Sequence, residues 1–86
     1  MKVLKTAKGK EFDLLWDGVS TIDGSLRFAV VNSDMDTIHD TFKDPAETAV
    51  LTRIDDGIES VYTGYIGYRG FDRKADGEIV VAIDPA

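Results

Sequence analysis

The sequence predicts a small, mainly β (α+β) domain: an antiparallel six-stranded meander sheet or small barrel with one short helix. Two observations predict this fold. Apolar and polar residues alternate with period two in several short stretches, as they do in strands with one buried face. Asp-Gly steps and single glycines separate these stretches, and short turns of this kind join antiparallel neighbours. The predicted order is β-β-β-α-β-β-β.

Three strands are predicted before the helix. The first covers residues 3–6 and ends in a turn around Gly9, where glycine can adopt a positive φ. The second is indicated by the alternation over residues 12–16, which gives it one buried face. The third covers residues 26–31 and is apolar on nearly both faces, so we expect it near the centre of the sheet.

The single helix is predicted over residues 33–42. Ser33 or Asp34 can cap its N terminus, and acidic residues occupy its first turn. Apolar residues recur at helical spacing at Met35, Ile38 and Phe42. Pro45 restricts the residue before it to extended conformations, so the helix is expected to end there. Residues 45–48 can add a further turn.

Three more strands are predicted after the helix, over residues 49–54, 58–71 and 78–83. The Asp-Asp-Gly sequence at 55–57 is typical of a hairpin turn between the first two. The strand over 58–71 contains several glycines, so we expect it to be bent. The side chains expected in the core are Trp16, Phe28, Val30, Phe42, Val81 and Ile83.

Length and composition fit one globular domain over residues 1–86. The chain is 43% hydrophobic and has no cysteine, which predicts a modest core with neither a disulfide nor a thiolate metal site. Its longest apolar runs, 28–31 and 79–83, are too short to span a bilayer. The first residues lack the apolar region of a signal peptide. We therefore expect a cytoplasmic protein with no membrane partner.

The charge of the chain is uneven and its net value is −6. Four lysines stand against one glutamate in residues 1–12, whereas acidic residues dominate residues 13–60. An acidic domain is repelled by phosphate backbones and anionic lipids, so nucleic acid is not an expected partner. Two interpretations of the acidity stay open. It can serve solubility, or it can form an exposed face that mimics nucleic acid.

The stretch "GYIGYRGF" at residues 64–71 is the most unusual part of the sequence. Glycine recurs every three residues, but the spacing is not that of a dinucleotide fingerprint, and no Gly-Lys-Ser/Thr follows as in a P-loop. The triplet "RGF" opens like an RNA-recognition strand, yet nothing after it continues that pattern. The stretch therefore favours a mechanical role or a protein contact over phosphate or RNA binding.

Aromatic residues accompany these glycines. In a regular strand, aromatics spaced by three would lie on both faces, while the glycines permit a bulge or a sharp bend. Core packing at a bend is one interpretation; contact with a partner is the other, since tyrosine is favoured at interfaces. The two are compatible. The candidate interface residues are Tyr62, Tyr65, Tyr68, Arg69 and Phe71.

Catalytic and metal-binding patterns are incomplete. Asp34, Asp36 and Asp40 have the spacing of the first positions of a calcium loop. The required glycine is His39, however, and the required glutamate is Pro45, so helix capping explains these acids better. His39 is the one histidine of the chain, and no nucleophile elbow is present. We predict no enzyme, no catalytic residues, no cofactor and no metal dependence.

The layout of the whole chain resembles small proteins encoded in the structural, tail-associated gene modules of phages and prophages of Gram-positive bacteria. The segments that carry this resemblance are "AKGKEFDLLW", "DPAETAVLTR", "YTGYIGY" and "GEIVVAI". The resemblance implies a role in virion assembly or in the tail, with no catalytic residues. It also implies a location in the cytoplasm of a bacterial host or in the virion.

Two functional hypotheses follow. In the first, the protein is a non-enzymatic structural or assembly protein that acts through sheet edges and an aromatic surface, by self-association or by docking on another virion protein. In the second, it is a small acidic regulator or inhibitor that binds a host protein as a mimic of nucleic acid.

Overall fold

The computed structural model describes residues 1–31 and 34–86, so Ser33, one of the two predicted helix caps, lies outside the described residues. Seven strands and two helices form in this part of the chain. They are β1 (Lys2–Lys5), β2 (Glu11–Val19), β3 (Leu26–Val31), α1 (Met35–Phe42), α2 (Pro45–Thr48), β4 (Val50–Asp55), β5 (Ile58–Thr63), β6 (Gly67–Arg73) and β7 (Ile79–Asp84).

All the strands belong to one antiparallel sheet with the order β5-β4-β1-β2-β3-β7-β6. The prediction of a mainly β antiparallel fold with a short helix is confirmed. The finer prediction of a six-stranded meander differs from the structure, because β4 returns across the sheet to pair with β1 rather than with β3. The helices occupy the β3–β4 connection that makes this return.

The predicted long strand over residues 58–71 is two strands joined by residues 64–66. Gly64 has a φ of +81°, a conformation that glycine adopts at little cost, and there the chain leaves β4. From Gly67 onward it pairs with β7, at the opposite end of the sheet. We call residues 64–66 the crossover. The predicted bend is therefore a change of partner strand.

The crossover forces the sheet to curl. Four residue steps from Thr63 to Gly67 can span at most about 14 Å. In a flat sheet of seven strands the two edges would lie about 29 Å apart. The concave face of the curled sheet encloses the core. The barrel prediction is nevertheless too strong, because the two edge strands, β5 and β6, do not pair with each other in the described chain.

Helix α1 lies over the concave face. Asp34 caps it by accepting a hydrogen bond from the backbone N–H of Thr37 at 2.8 Å. The Phe42 ring packs between Phe12 and Phe28, with centroid distances of 5.1 and 5.0 Å. The core comprises Leu4, Phe12, Leu14, Leu26, Phe28, Val30, Ile38, Phe42, Leu51, Ile79, Val81 and Ile83. None of the helices in the described residues is long and apolar enough to cross a membrane.

The prediction that Trp16 lies in the core is wrong, because its side chain is 41% exposed. The cause is a β-bulge in β2. Leu14 pairs with Val30 and Trp16 with the preceding residue of β3, Ala29, so Leu15 is an extra residue in the strand. An extra residue reverses the alternation of faces beyond it. The tryptophan therefore lies on the convex face, and Asp17 turns inward. The other five predicted core residues are buried.

Candidate protein-contact surface

The predicted interface residues surround the crossover. Tyr62 is the penultimate residue of β5, Tyr65 lies in the crossover, and the others lie in β6. All four aromatic side chains are partly buried and pack against the core. Tyr62 pairs with buried Leu51, whereas the two β6 aromatics pair with buried residues of β7. The structure thus brings the four rings together on the concave side of the sheet.

The expectation that these aromatics would occupy both faces is wrong, and the reason is again a bulge. Tyr68 pairs with Ile83 and Gly70 with the preceding residue of β7, which leaves Arg69 as an extra residue. Because of that extra residue, Tyr68 and Phe71 share one face although they are three positions apart. In a strand with one extra residue, two side chains on either side of the bulge lie on the same face when they are three positions apart.

Gly67 allows β6 to approach β7. A Cβ atom at this position would lie 3.0 Å from the Cβ of Asp84 and 3.1 Å from its carbonyl oxygen. These contacts are tighter than most Cβ contacts, so a larger residue requires Asp84 to shift by a few tenths of an ångström. The close approach places Tyr68 against the core at the start of β6.

Tyr62 belongs to a polar network that links three strands. Its hydroxyl donates a hydrogen bond to the carboxylate of Asp17, which also accepts one from Nε of Arg53 at 2.9 Å. The Asp17 side chain is 5% exposed, and a buried carboxylate needs such partners. Burial and this carboxylate raise the pKa of Tyr62 to about 12. The network fixes the β4–β5 hairpin to β2.

Asp17 is a residue that the sequence analysis missed. If β2 were regular, the side chain of Asp17 would face solvent and that of the preceding Trp16 would face the core. Its inward position depends on the bulge at Leu15, and no residue in the local sequence marks that bulge.

Three further contacts hold the other aromatics. The Tyr65 ring meets that of Tyr62 edge-on at 6.1 Å. On the helical side, Nδ1 of His39 lies 3.3 Å from the Tyr68 hydroxyl, and the His39 ring also approaches Phe71. Burial raises the pKa of Tyr68. The lone histidine therefore helps α1 to cover β6.

Arg69 is exposed, but its charge is not free. Its Nη2 lies 2.6 Å from one carboxylate oxygen of Asp84 and 2.9 Å from Asp23. Hydrogen bonds from Ser25 and then from Arg69 lower the pKa of the Asp23 carboxyl. Arg27 also approaches Asp23, at 3.6 Å. Two arginines thus balance two carboxylates, so the charge of Arg69 is already paired within the chain.

Apolar side chains are exposed along β5, beside the tyrosines. Ile58 is 70% exposed and Val61 is 57% exposed. They lie on opposite faces of a strand whose outer edge has no partner among the described residues. We call residues 58–63 with this outer edge the β5 edge. It continues into the crossover without interruption.

Within residues 1–31 and 34–86, no three acidic or histidine side chains lie close enough together to hold a metal ion. Comparisons of the chain with models of protein families, with curated proteins and with solved structures gave no match. Fold and surface therefore define the class: a small, mainly β protein with one curled antiparallel sheet, whose edge strands are β5 and β6.

Proposed function

We propose that this chain is a non-enzymatic structural or assembly protein of the phage or prophage type, which acts through protein–protein contacts. The observation that carries the proposal is the continuous surface formed by the β5 edge and the crossover, where exposed apolar side chains adjoin half-buried tyrosines. The partner is a protein rather than a nucleic acid. The chain acts in the cytoplasm of the bacterial host or in the virion.

The tyrosines suit a contact because they are held before the partner arrives. Tyr62 is anchored by Asp17, and Tyr68 by His39. A side chain that is already ordered loses little conformational entropy on binding, and a tyrosine ring offers a large apolar area with a polar tip. Tyr65 lies between them in the crossover and is the natural centre of the contact.

The distribution of ion pairs favours assembly over mimicry of nucleic acid. A mimic needs unpaired carboxylates along an exposed face. Here several carboxylates are neutralised within the chain by the pairs Arg53–Asp17, Arg69–Asp23, Arg69–Asp84, Lys8–Asp44, Lys10–Glu47 and Lys43–Asp40. The acidity that remains suits solubility.

The test is whether the chain enters particles. A tagged copy is expressed in the bacterium whose genome encodes it, particles are purified on a density gradient, and the tag is followed across the fractions. We expect wild type to travel with the particles or with tail intermediates, and Tyr65→Ala to do so less. Leu15→Ala, which shortens an exposed apolar side chain away from the crossover, is the matched control.

A wild-type chain that stays in the light fractions throughout assembly would reject the structural role. Stable binding to a host regulatory protein instead would support the acidic inhibitor.

A further inference from the structure

We propose that the β5 edge pairs with the β5 edge of a second copy of this chain, antiparallel across a two-fold axis with Val61 opposite Val61. The inference deepens the proposed function, since it names one partner and the geometry of one contact. It rests on the differences between the two edge strands, β5 and β6, and on the backbone N–H and C=O groups of β5 that do not bond to β4.

The β5 edge has few of the usual protections. Residues 58–63 pair with β4 in unbroken register, from Ile58 opposite Asp55 to Thr63 opposite Val50. They contain no proline, lysine or arginine, and Glu59 is their single charge. Natural edge strands are normally blocked by such residues, by bulges or by a covering element, because a regular open edge is a template for another strand.

The other edge, β6, is protected in two ways. It carries the bulge at Arg69, which interrupts regular pairing. It ends with the charges of Asp72 and Arg73. The same chain therefore blocks one edge and leaves the other regular and apolar, which points to an occupant for β5.

The hairpin turn determines which backbone groups are free. Asp56 and Gly57 both have positive φ, +50° and +82°, as in a two-residue type I′ turn. In such a hairpin the residues that flank the turn form a hydrogen-bonded pair, and every second pair follows. The even-numbered residues of β5 therefore bond to β4. Gly64 continues this pattern, since its N–H bonds to the carbonyl of Ala49 at 3.3 Å.

The remaining residues of the strand, Glu59, Val61 and Thr63, direct their N–H and C=O groups away from β4. A second, antiparallel β5 strand can bond to all three residues when the two-fold axis passes between the two copies of Val61. Glu59 of each copy then lies opposite Thr63 of the other. This arrangement gives three hydrogen-bonded pairs. Shifting the centre to Ser60 leaves two such pairs within the strand and sets Glu59 against Val61.

Side chains agree with the register centred on Val61. The two valines meet on the convex face, and no like charges stand opposite each other. On the concave face Ser60 faces Tyr62 of the second copy, which brings a predicted interface residue into the contact. The strand is thus complementary to itself, and this is the argument for a second copy as the occupant.

The absence of cysteine makes cross-linking a clean test. In a hydrogen-bonded antiparallel pair the Cα atoms are about 5.5 Å apart, within the range that a disulfide bridges. Under mild oxidation we expect Val61→Cys to form covalent dimers at least tenfold faster than Leu15→Cys, an exposed control on β2. Faster cross-linking by Ser60→Cys than by Val61→Cys would overturn the register.

Association is measured independently by sedimentation over a concentration series up to about 1 mM, because a contact made by one strand lies at the weak end of interface sizes. We expect the mass to rise from 9.4 kDa towards twice that value. Val61→Pro removes an N–H that β4 does not use, and Val61→Lys adds a natural edge blocker. Both should stay monomeric, whereas Leu15→Lys, with the same added charge, should dimerise.

A wild-type chain that remains monomeric at all concentrations, or a Val61→Lys chain that dimerises like Leu15→Lys, would reject the β5 pairing. Failure here differs from failure of the proposed function. A monomer that still enters particles keeps the assembly role, and a dimer that never enters them keeps the pairing.

Discussion

The hydroxyl of Tyr62 holds the open-edge hairpin to the centre of the sheet, and its removal has a predictable cost. In Tyr62→Phe the ring keeps its packing, while Asp17 loses one of its two donors. A hydrogen bond to a charged group contributes about 1.5–3 kcal/mol. Because Arg53 stays bound to Asp17 and the ring is only partly buried, we expect the lower end, a loss of about 1–2 kcal/mol. For a domain of this length that lowers the melting temperature by roughly 5–10 °C.

The assay is thermal and denaturant unfolding at neutral pH, followed by circular dichroism. Tyr65→Phe is the matched control, because the structure describes no hydrogen bond of the Tyr65 hydroxyl within residues 1–31 and 34–86. It should shift the free energy of unfolding by less than about 0.5 kcal/mol. An unchanged melting temperature in Tyr62→Phe, or an equal loss in the control, would refute the reasoning.

The same network predicts a dependence on pH. Burial and the Asp17 carboxylate raise the pKa of Tyr62 from 10.0 to about 12 in the folded chain. A group whose pKa is raised by folding contributes its full stability below the unfolded pKa, and that contribution is lost as the pH rises through the folded pKa. The stability gap between wild type and Tyr62→Phe should therefore narrow between about pH 10 and pH 12. A gap that stays constant over this range would contradict the network.

Three further predictions concern the core, the β6–β7 approach and metals. Phe42→Ala removes the ring that packs between two core phenylalanines and should lower the free energy of unfolding by about 3–5 kcal/mol. Met35→Ala, on the exposed side of α1, should lower it by less than about 0.5 kcal/mol. Equal losses in denaturant titrations would contradict the role of α1 in covering the core. Gly67→Ala places a Cβ 3.0 Å from that of Asp84 and should cost about 1–3 kcal/mol by the same titration; no loss would show that the strands can separate freely. Addition of a chelator should leave the melting temperature unchanged, and a drop of several degrees that calcium or zinc reverses would overturn the prediction of no metal dependence.

Local signals predicted much of the secondary structure. The Asp34 cap and the proline-terminated helix follow from short-range chemistry, and the structure contains both. The Asp-Gly turn at 56–57 likewise joins two strands in the structure. Five of the six predicted core residues are buried because alternation with period two reports the buried face wherever a strand is regular.

The errors arise where the fold depends on pairing between distant segments. The bulges at Leu15 and Arg69 each reverse the faces of the residues after them, so Trp16 was assigned to the wrong side and Asp17 was missed. The bend near Gly64 was predicted, but its exchange of β4 for β7 as partner was not. The position of β1 between β2 and β4 depends on contacts about 50 residues apart in sequence, which local patterns do not encode.

The candidate interface was predicted as a set of residues, and the structure assigns them different roles. The four aromatics pack against the core on the concave side and contact neighbouring side chains, whereas Arg69 is paired with two carboxylates. The open edge of β5 was foreseen only in general terms, as a sheet edge available for contact. The register in which a second copy can pair with β5 follows only from the pairing of β4 with β5.

Amide hydrogen exchange resolved by residue, at low and at high protein concentration, tests the central claim most directly. The amides of Ser60 and Tyr62 bond to β4 and should be protected at both concentrations. The amides of Glu59, Val61 and Thr63 should exchange rapidly in dilute solution and become protected together as the concentration rises. If these three amides exchange rapidly at every concentration, or if protection appears instead along β6, the β5 edge is not the contact surface.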